Sequence, residues 1–307
     1  MAGPPFPNGD ETVAVTVGDG AVLPVYRWRG PAGAPALLVA HANGLAAGSY
    51  APWLAELAAT LDVFAFDARG HGGARWPAGA LDAVFHVDRF ADDLAAVAAA
   101  VTARLDGGAL HLAAHSLGAA AALRLAARGA PLPWRSSLLF EPPVFPDALS
   151  PHHAEAAAKQ TPLIERSAQR RAEWESPEAF ARLLASRGMF RQFRADLLAA
   201  HCRATLRELP HGGWRLACPP SVESAIFRSH RSADTWQRLP GVAAPIHLVS
   251  GDPGAPDRGW VSAVLPEMTQ RIAGARLTTL AGTGHMMIFE APETCRGLVL
   301  DEVRRAG

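Results

Sequence analysis

Along this chain, short, mostly apolar runs alternate with longer segments in which apolar residues recur every three to four positions. Such a run suits a strand buried on both faces, and the longer period suits a helix laid over it, so the pattern predicts a mostly parallel sheet covered on both sides. Two N-terminal segments, 12–17 and 21–28, alternate instead around the turn Gly18-Asp19-Gly20, which predicts an opening hairpin. Six further strands are expected at 36–40, 62–67, 109–114, 136–141, 246–250 and 276–280, making eight in all. Helical spacing covers 50–60, 87–105, 117–128, 258–273 and 292–305 between and after them. The fold class is α/β.

One stretch breaks the alternation. Between Pro146 and Leu239 no buried strand stands out, and helical spacing covers 164–174, 177–186 and 193–209. The expectation is a core built from 1–145 and 240–307, with 146–239 inserted as a helical cap. The inserted stretch holds fourteen Lys or Arg against ten Asp or Glu, which reads first as a solvated arginine face and only second as an attraction for anionic substrates.

Composition narrows the function classes. With 307 residues, 49% hydrophobic and 19% charged, the chain can bury a sizeable core and is no disordered or fibrous protein. Lys plus Arg and Asp plus Glu each total 29, so neither a nucleic-acid surface nor a polybasic membrane anchor is indicated. The first ten residues are rich in Pro and Gly, read as a loose tail and lack the pattern of a secretory signal. The longest low-charge run, 109–123, is interrupted by His111, His115 and Ser116 and is too short for stable membrane insertion. Cys202, Cys218 and Cys295 are odd in number and widely spaced, which suggests a reducing, cytoplasmic setting and no disulfide framework. His152 and His153 have no metal partner at recognisable spacing, and neither a metal nor a cofactor is expected.

The sharpest chemical signal is Ala114-His115-Ser116-Leu117-Gly118, at the end of an expected strand and the start of an expected helix. Small residues must flank a nucleophile on so sharp a turn, and the helix N-terminus turns its free N–H groups toward charge developing beside the serine. A serine N-cap would explain the same five residues in an alanine-rich chain. Two other loops alter that balance. His41-Ala42-Asn43-Gly44 follows the strand at 36–40 and is placed to supply a second N–H to an oxyanion. Gly282-Thr283-Gly284-His285 follows the last strand and carries an imidazole. All three loops fall at the carboxyl edge of the sheet, where open α/β sheets build their sites.

These loops, with Asp67-Ala68-Arg69-Gly70-His71-Gly72 and with Glu290-Ala291-Pro292-Glu293 after His285, resemble the α/β-hydrolase family in family order over nearly the whole chain. The resemblance implies an α/β-hydrolase fold with Ser116 as nucleophile, His285 as general base, and the backbone N–H groups of Asn43 and Leu117 as the oxyanion hole. Ala114 departs from the usual glycine but is small. His71 and Arg69 are expected to shape their turn, and His115 to pack near the elbow. Trp134, Trp174, Trp214, Trp236 and Trp260 are candidates to line an apolar pocket, although aromatics of this size are more often core.

The implied reaction is hydrolysis of a small, apolar carboxylic ester or related acyl substrate, esterase- or lipase-like, through an acyl-enzyme. Thioesters, lysophospholipids, lactones and certain carbon–carbon bonds are cleaved by family members with the same groups, and cofactor-free haloperoxidase activity is a further alternative. Haloalkane dehalogenases and epoxide hydrolases share the loop at Asn43 but use an aspartate where this chain has Ser116. A non-catalytic receptor or binding module on the same fold is the rival of a different class.

The triad acid is the unusual part. Many family members place an aspartate three residues after the glycine ending the penultimate strand, and in Ser250-Gly251-Asp252-Pro253-Gly254 that position is Gly254. Asp252 lies too early and Asp257 too late unless the loop is rearranged. Glu141, ending the strand after the nucleophile helix, matches a position used by some family members, and its longer side chain suits the reach. A carboxylate that caps its loop or pairs with an arginine is the alternative for Glu141, as Asp252 and Asp257 are for the acid.

Overall fold

The computed structural model describes residues 9–105, 107–129, 131–232, 234–254 and 259–307. Eleven strands are described: β1 Glu11–Thr16, β2 Val22–Trp28, β3 Ala36–Ala40, β4 Asp62–Phe66, β5 Leu110–His115, β6 Ser137–Phe140, β7 Glu173–Trp174, β8 Leu206–Glu208, β9 Trp214–Leu216, β10 Ile246–Ser250 and β11 Arg276–Thr279. Eight of them form one sheet in the order β1-β2-β4-β3-β5-β6-β10-β11. Within this sheet only the β1–β2 and β2–β4 pairs are antiparallel, and its other pairs are parallel.

Burial follows the hydrophobic pattern. β3, β4, β5, β6 and β10 are buried at every position, as their mostly apolar runs favour, whereas β1 alternates and β11 is partly exposed at the two edges. On one face, helices Val87–Thr102, Leu117–Ala126 and Trp260–Arg271 share a core with the sheet. The other face is covered by Ala51–Leu57 and Pro292–Ala306. Strand and helix boundaries fall within a few residues of those expected. The first eight residues of the expected tail, and Arg258 at the head of one expected helix, lie outside the described residues.

The stretch inserted between β6 and β10 is not purely helical. The helix expected at 164–174 runs instead over His153–Ala168, and that expected at 193–209 ends at Ala204. The residues left over enter a three-stranded antiparallel sheet, β7-β9-β8, with Trp174 opposite Trp214 and Leu206 opposite Leu216. Strands of two or three residues are too short for a two-residue period to register. His153–Ala168 buries only Ala156, Gln160 and Ser167, so its apolar stripe is nearly absent from the sequence. A further helix, Pro220–Ser232, packs against it.

Several arginines of this stretch are paired, three of them with its own acids and Arg228 with an acid outside it. Arg170 pairs with Glu223, Arg171 with Glu175, Arg215 with Glu173, and Arg228 with Asp82. No helix among the described residues is long and apolar enough to cross a membrane.

Candidate active site

β5 and β6 lie side by side in parallel register, with His115 opposite Phe140. The next residue on each strand is therefore at the same level on the sheet's carboxyl edge, and these two are Ser116 and Glu141. They are also the two non-glycine residues with positive φ among those described, +50° and +43°. Such backbone costs on the order of 1–3 kcal/mol per residue and persists where the surroundings over-determine it. Here the ladder supplies that constraint: Ser116 N–H donates to the Phe140 carbonyl and Glu141 N–H to the Val249 carbonyl, both at 2.9 Å.

Helix Leu117–Ala126 starts immediately after Ser116. Its second residue must be glycine, because a Cβ at Gly118 would lie 2.6 Å from both the Cβ and the carbonyl oxygen of Ala40. Gly118 N–H donates to the His41 carbonyl at 3.2 Å, which ties the elbow to the loop after β3. Ala114 is accommodated in the buried strand without disturbing this turn.

His285, on the loop after β11, joins the two strand ends. Its Nε2 is 2.9 Å from Ser116 Oγ and its Nδ1 is 2.7 Å from Glu141 Oε2. A carboxylate only accepts, so the ring hydrogen sits on Nδ1 and the Nε2 lone pair receives the serine O–H. Glu141 is fully buried, Ser116 is 5% exposed, and the His285 side chain is 24% exposed. The other carboxylate oxygen of Glu141 accepts Gly251 N–H at 2.8 Å and the Ser262 hydroxyl. Burial by itself would raise the pKa of Glu141, but the hydrogen bond and charge of His285, with the Ser262 and Gly251 donors, outweigh it and hold the carboxyl below its ordinary value. A serine hydroxyl beside an imidazole that a carboxylate orients can lose its proton as Oγ attacks an electrophilic carbon.

The Leu117 N–H heads its helix, and the Asn43 N–H lies on the loop that His41 and Gly118 bind to the elbow. Neither has an acceptor among the described residues. Asn43 itself is anchored by its side chain, whose Nδ2 donates to the Glu223 carbonyl at 3.1 Å.

The remaining sequence candidates have structural surroundings. Both carboxylate oxygens of Asp252 accept loop N–H groups, from Gly254 at 2.8 Å and Gly282 at 2.9 Å, so it ties its own loop to the loop that carries His285 without reaching the imidazole. Asp257 lies outside the described residues. Arg69 is buried in a bidentate pair with Asp93 and also bonds Asp19. His41 Nε2 accepts Ala68 N–H and His71 Nε2 accepts Gly44 N–H, both at 2.9 Å, stitching the loops after β3 and β4 together. Burial holds His71 at about 3, so it remains a neutral connector. Trp134, Trp236 and Trp260 are buried in the main core, and Trp174, with Trp214 against it, belongs to the insertion's own cluster; they pack as core. Ser262 and Tyr50 escaped the sequence reading, since a lone hydroxyl in a helix or turn carries no pattern. Glu290, in the segment noted after His285, accepts Gly284 N–H and steadies that loop.

A family model described as the alpha/beta hydrolase family matches residues 37–297. The chain belongs to the alpha/beta hydrolase family. Among solved structures, this family member is similar to E-2-(acetamidomethylene)succinate hydrolase, with a TM-score of 0.77 and 20% identity over 96% of this chain and 99% of that one. It is also similar to a thioesterase domain from the curacin biosynthetic pathway (TM-score 0.68, 21% identity, 94% and 98% covered). A thermophilic esterase from Thermogutta terrifontis aligns with a TM-score of 0.64 and 21% identity over 97% and 99%. At these identities the likeness is one of fold. No curated protein matches the chain in sequence at a significant level.

Proposed function

We propose that this alpha/beta hydrolase is a serine hydrolase that cleaves small, apolar carboxylic esters or related acyl substrates through an acyl-enzyme. Ser116 is the nucleophile, His285 the general base and then the general acid, and Glu141 the carboxylate that orients the imidazole and stabilises its charged form. The Asn43 and Leu117 N–H groups receive the oxyanion. The observation that carries this reading is the unbroken chain from Ser116 Oγ through both nitrogens of His285 to Glu141, at 2.9 and 2.7 Å. Solved structures named as an esterase, a thioesterase and an enol-lactonase share the fold, which sets the range of acyl groups to test.

In this reading residues 146–239 act as a cap that selects the acyl or alcohol group, while the core performs the chemistry. The contact of Glu223 with Asn43, and the 2.8 Å bond from Arg194 N–H to the Phe289 carbonyl near His285, support that placement over the site. Three buried free thiols, Cys202, Cys218 and Cys295, support a cytoplasmic setting.

The test is fluorophosphonate labelling with turnover on a panel of esters, thioesters and lactones. Wild-type protein is expected to label at Ser116, and Ser116→Ala is expected to lose label and about a thousandfold or more of its turnover while remaining folded. Turnover near wild type in that variant sinks the reading. Ligand-induced stabilisation without label or turnover indicates a binding module instead.

A further inference from the structure

Beside the proposed triad lies a second chain of polar side chains that the mechanism does not use. Ala42 lies two residues past the end of β3, and its N–H donates to Tyr50 Oη at 3.2 Å. Tyr50 Oη is 2.8 Å from His115 Nδ1, and His115 Nε2 is 2.8 Å from the carbonyl oxygen of His285. Tyr50 is fully buried and His115 is 1% exposed.

The geometry permits one arrangement of hydrogens. The His285 carbonyl only accepts, so His115 carries its hydrogen on Nε2 and offers a lone pair at Nδ1. Tyr50 therefore donates to Nδ1 while accepting from Ala42, and the donors run in one direction from Ala42 N–H through Tyr50 and His115 to the His285 carbonyl. Burial raises the Tyr50 phenol far above its ordinary value, so its hydrogen stays in place. Burial, with His285 and His41 nearby, lowers His115 to about 3, so its ring stays neutral.

The ends of this chain matter more than its middle. Ala42 precedes Asn43, whose N–H faces the oxyanion in the proposed reaction, and His285 is the base. His115 immediately precedes Ser116. We propose that Tyr50 and His115 are positioning residues that hold the Asn43 loop and the His285 loop at one separation around Ser116. The inference rests on the serine-hydrolase reading, because both loops matter only if they carry an oxyanion donor and a base. A chain of aligned hydrogen bonds in a dry interior polarises along its length, which makes the separation stiff. Displacement of a reacting group by about 1 Å can cost on the order of a hundredfold in rate.

The test compares Tyr50→Phe, His115→Phe and His115→Gln. Tyr50→Phe keeps the ring, which packs 4.8 Å from that of Phe289, and removes only the hydroxyl. It is expected to lower kcat about ten- to a hundredfold with KM within about twofold, per active site titrated with fluorophosphonate. His115→Phe is expected to lose at least as much. His115→Gln, which offers a donor and an acceptor in similar places, is expected to recover most of the loss. Wild-type kcat in folded Tyr50→Phe, equal kcat in the two His115 variants, or a fall that disappears once folded sites are titrated each overturns the proposal. A wild-type protein that takes no fluorophosphonate overturns the hydrolase reading and this inference together.

Discussion

The carboxyl ends of β6 and β10 are neighbours in the sheet and each presents an acidic residue, yet the two carboxylates do different things. Glu141, at the end of β6, is fully buried and has a donor on each oxygen: His285 on one, Gly251 and Ser262 on the other. Asp252, just past β10, is more exposed, and two backbone N–H groups of its own surroundings occupy it. The difference comes from strand order. β6 adjoins the strand that carries Ser116, and β10 is one strand farther away, about 4.8 Å more. What β10 contributes is backbone, the Gly251 N–H, and it contributes it to the carboxylate of its neighbour.

The largest effect that can break this comparison is on turnover. In the proposed reaction Glu141→Gln is expected to lose about a thousandfold or more, since an orienting acid replaced by its amide favours the wrong tautomer of His285. Asp252→Asn is expected to stay within about threefold, because Asp252 bonds only backbone N–H groups and an asparagine oxygen still accepts one of them. A steady-state assay of the two folded variants decides it, and a severe loss in Asp252→Asn alone would return the acid to β10.

Gly251→Ala probes the backbone contribution. A Cβ there would lie 2.8 Å from the Gly284 carbonyl oxygen and 2.9 Å from that of Thr283, so the His285 loop must move. A loss of about ten- to a hundredfold in kcat is expected in a folded protein. Wild-type kcat would mean that β10 does not set the position of the base.

The smallest effect is on stability. The Glu141 carboxyl is held below its ordinary value of 4.5 in the folded protein, so as pH falls the unfolded chain takes up its proton first. The stabilisation is present above that ordinary value and is lost as pH drops through the folded one. Urea unfolding between about pH 3 and pH 7 is expected to show part of the acid loss missing in Glu141→Gln and almost unchanged in Asp252→Asn. Parallel curves for wild type and Glu141→Gln would contradict the pairing with His285.

The patterning of residues along the chain was enough for the main sheet, most of its helices, and the three loops at its carboxyl edge. Mostly apolar runs at 36–40, 62–66 and 246–250 have no other economical burial, and Gly118 near Ser116 and Gly282 near His285 mark turns that disfavour a Cβ. The short strands β7, β8 and β9 were not legible, because their register comes from pairing across the insertion. Glu141 is expected as the acid from its strand end and from the family's usual position after β10 standing empty at Gly254, a comparison of this sequence with the family's pattern. Its partners Gly251 and Ser262 are not. Ser262 and Tyr50 carry no local signal, and the roles expected of the histidines at 71, 115 and 285 came from the family resemblance of their loops, which says nothing of their bonds. The tertiary structure supplies those bonds: His41, His71 and His115 are buried with both ring nitrogens bonded to neighbours other than a nucleophile, and His285 lies between a serine and a carboxylate. Hydrophobic order is written along the chain at the scale of a few residues. Hydrogen-bond partners are chosen across separations such as the 169 residues between Ser116 and His285, and folding alone brings those together.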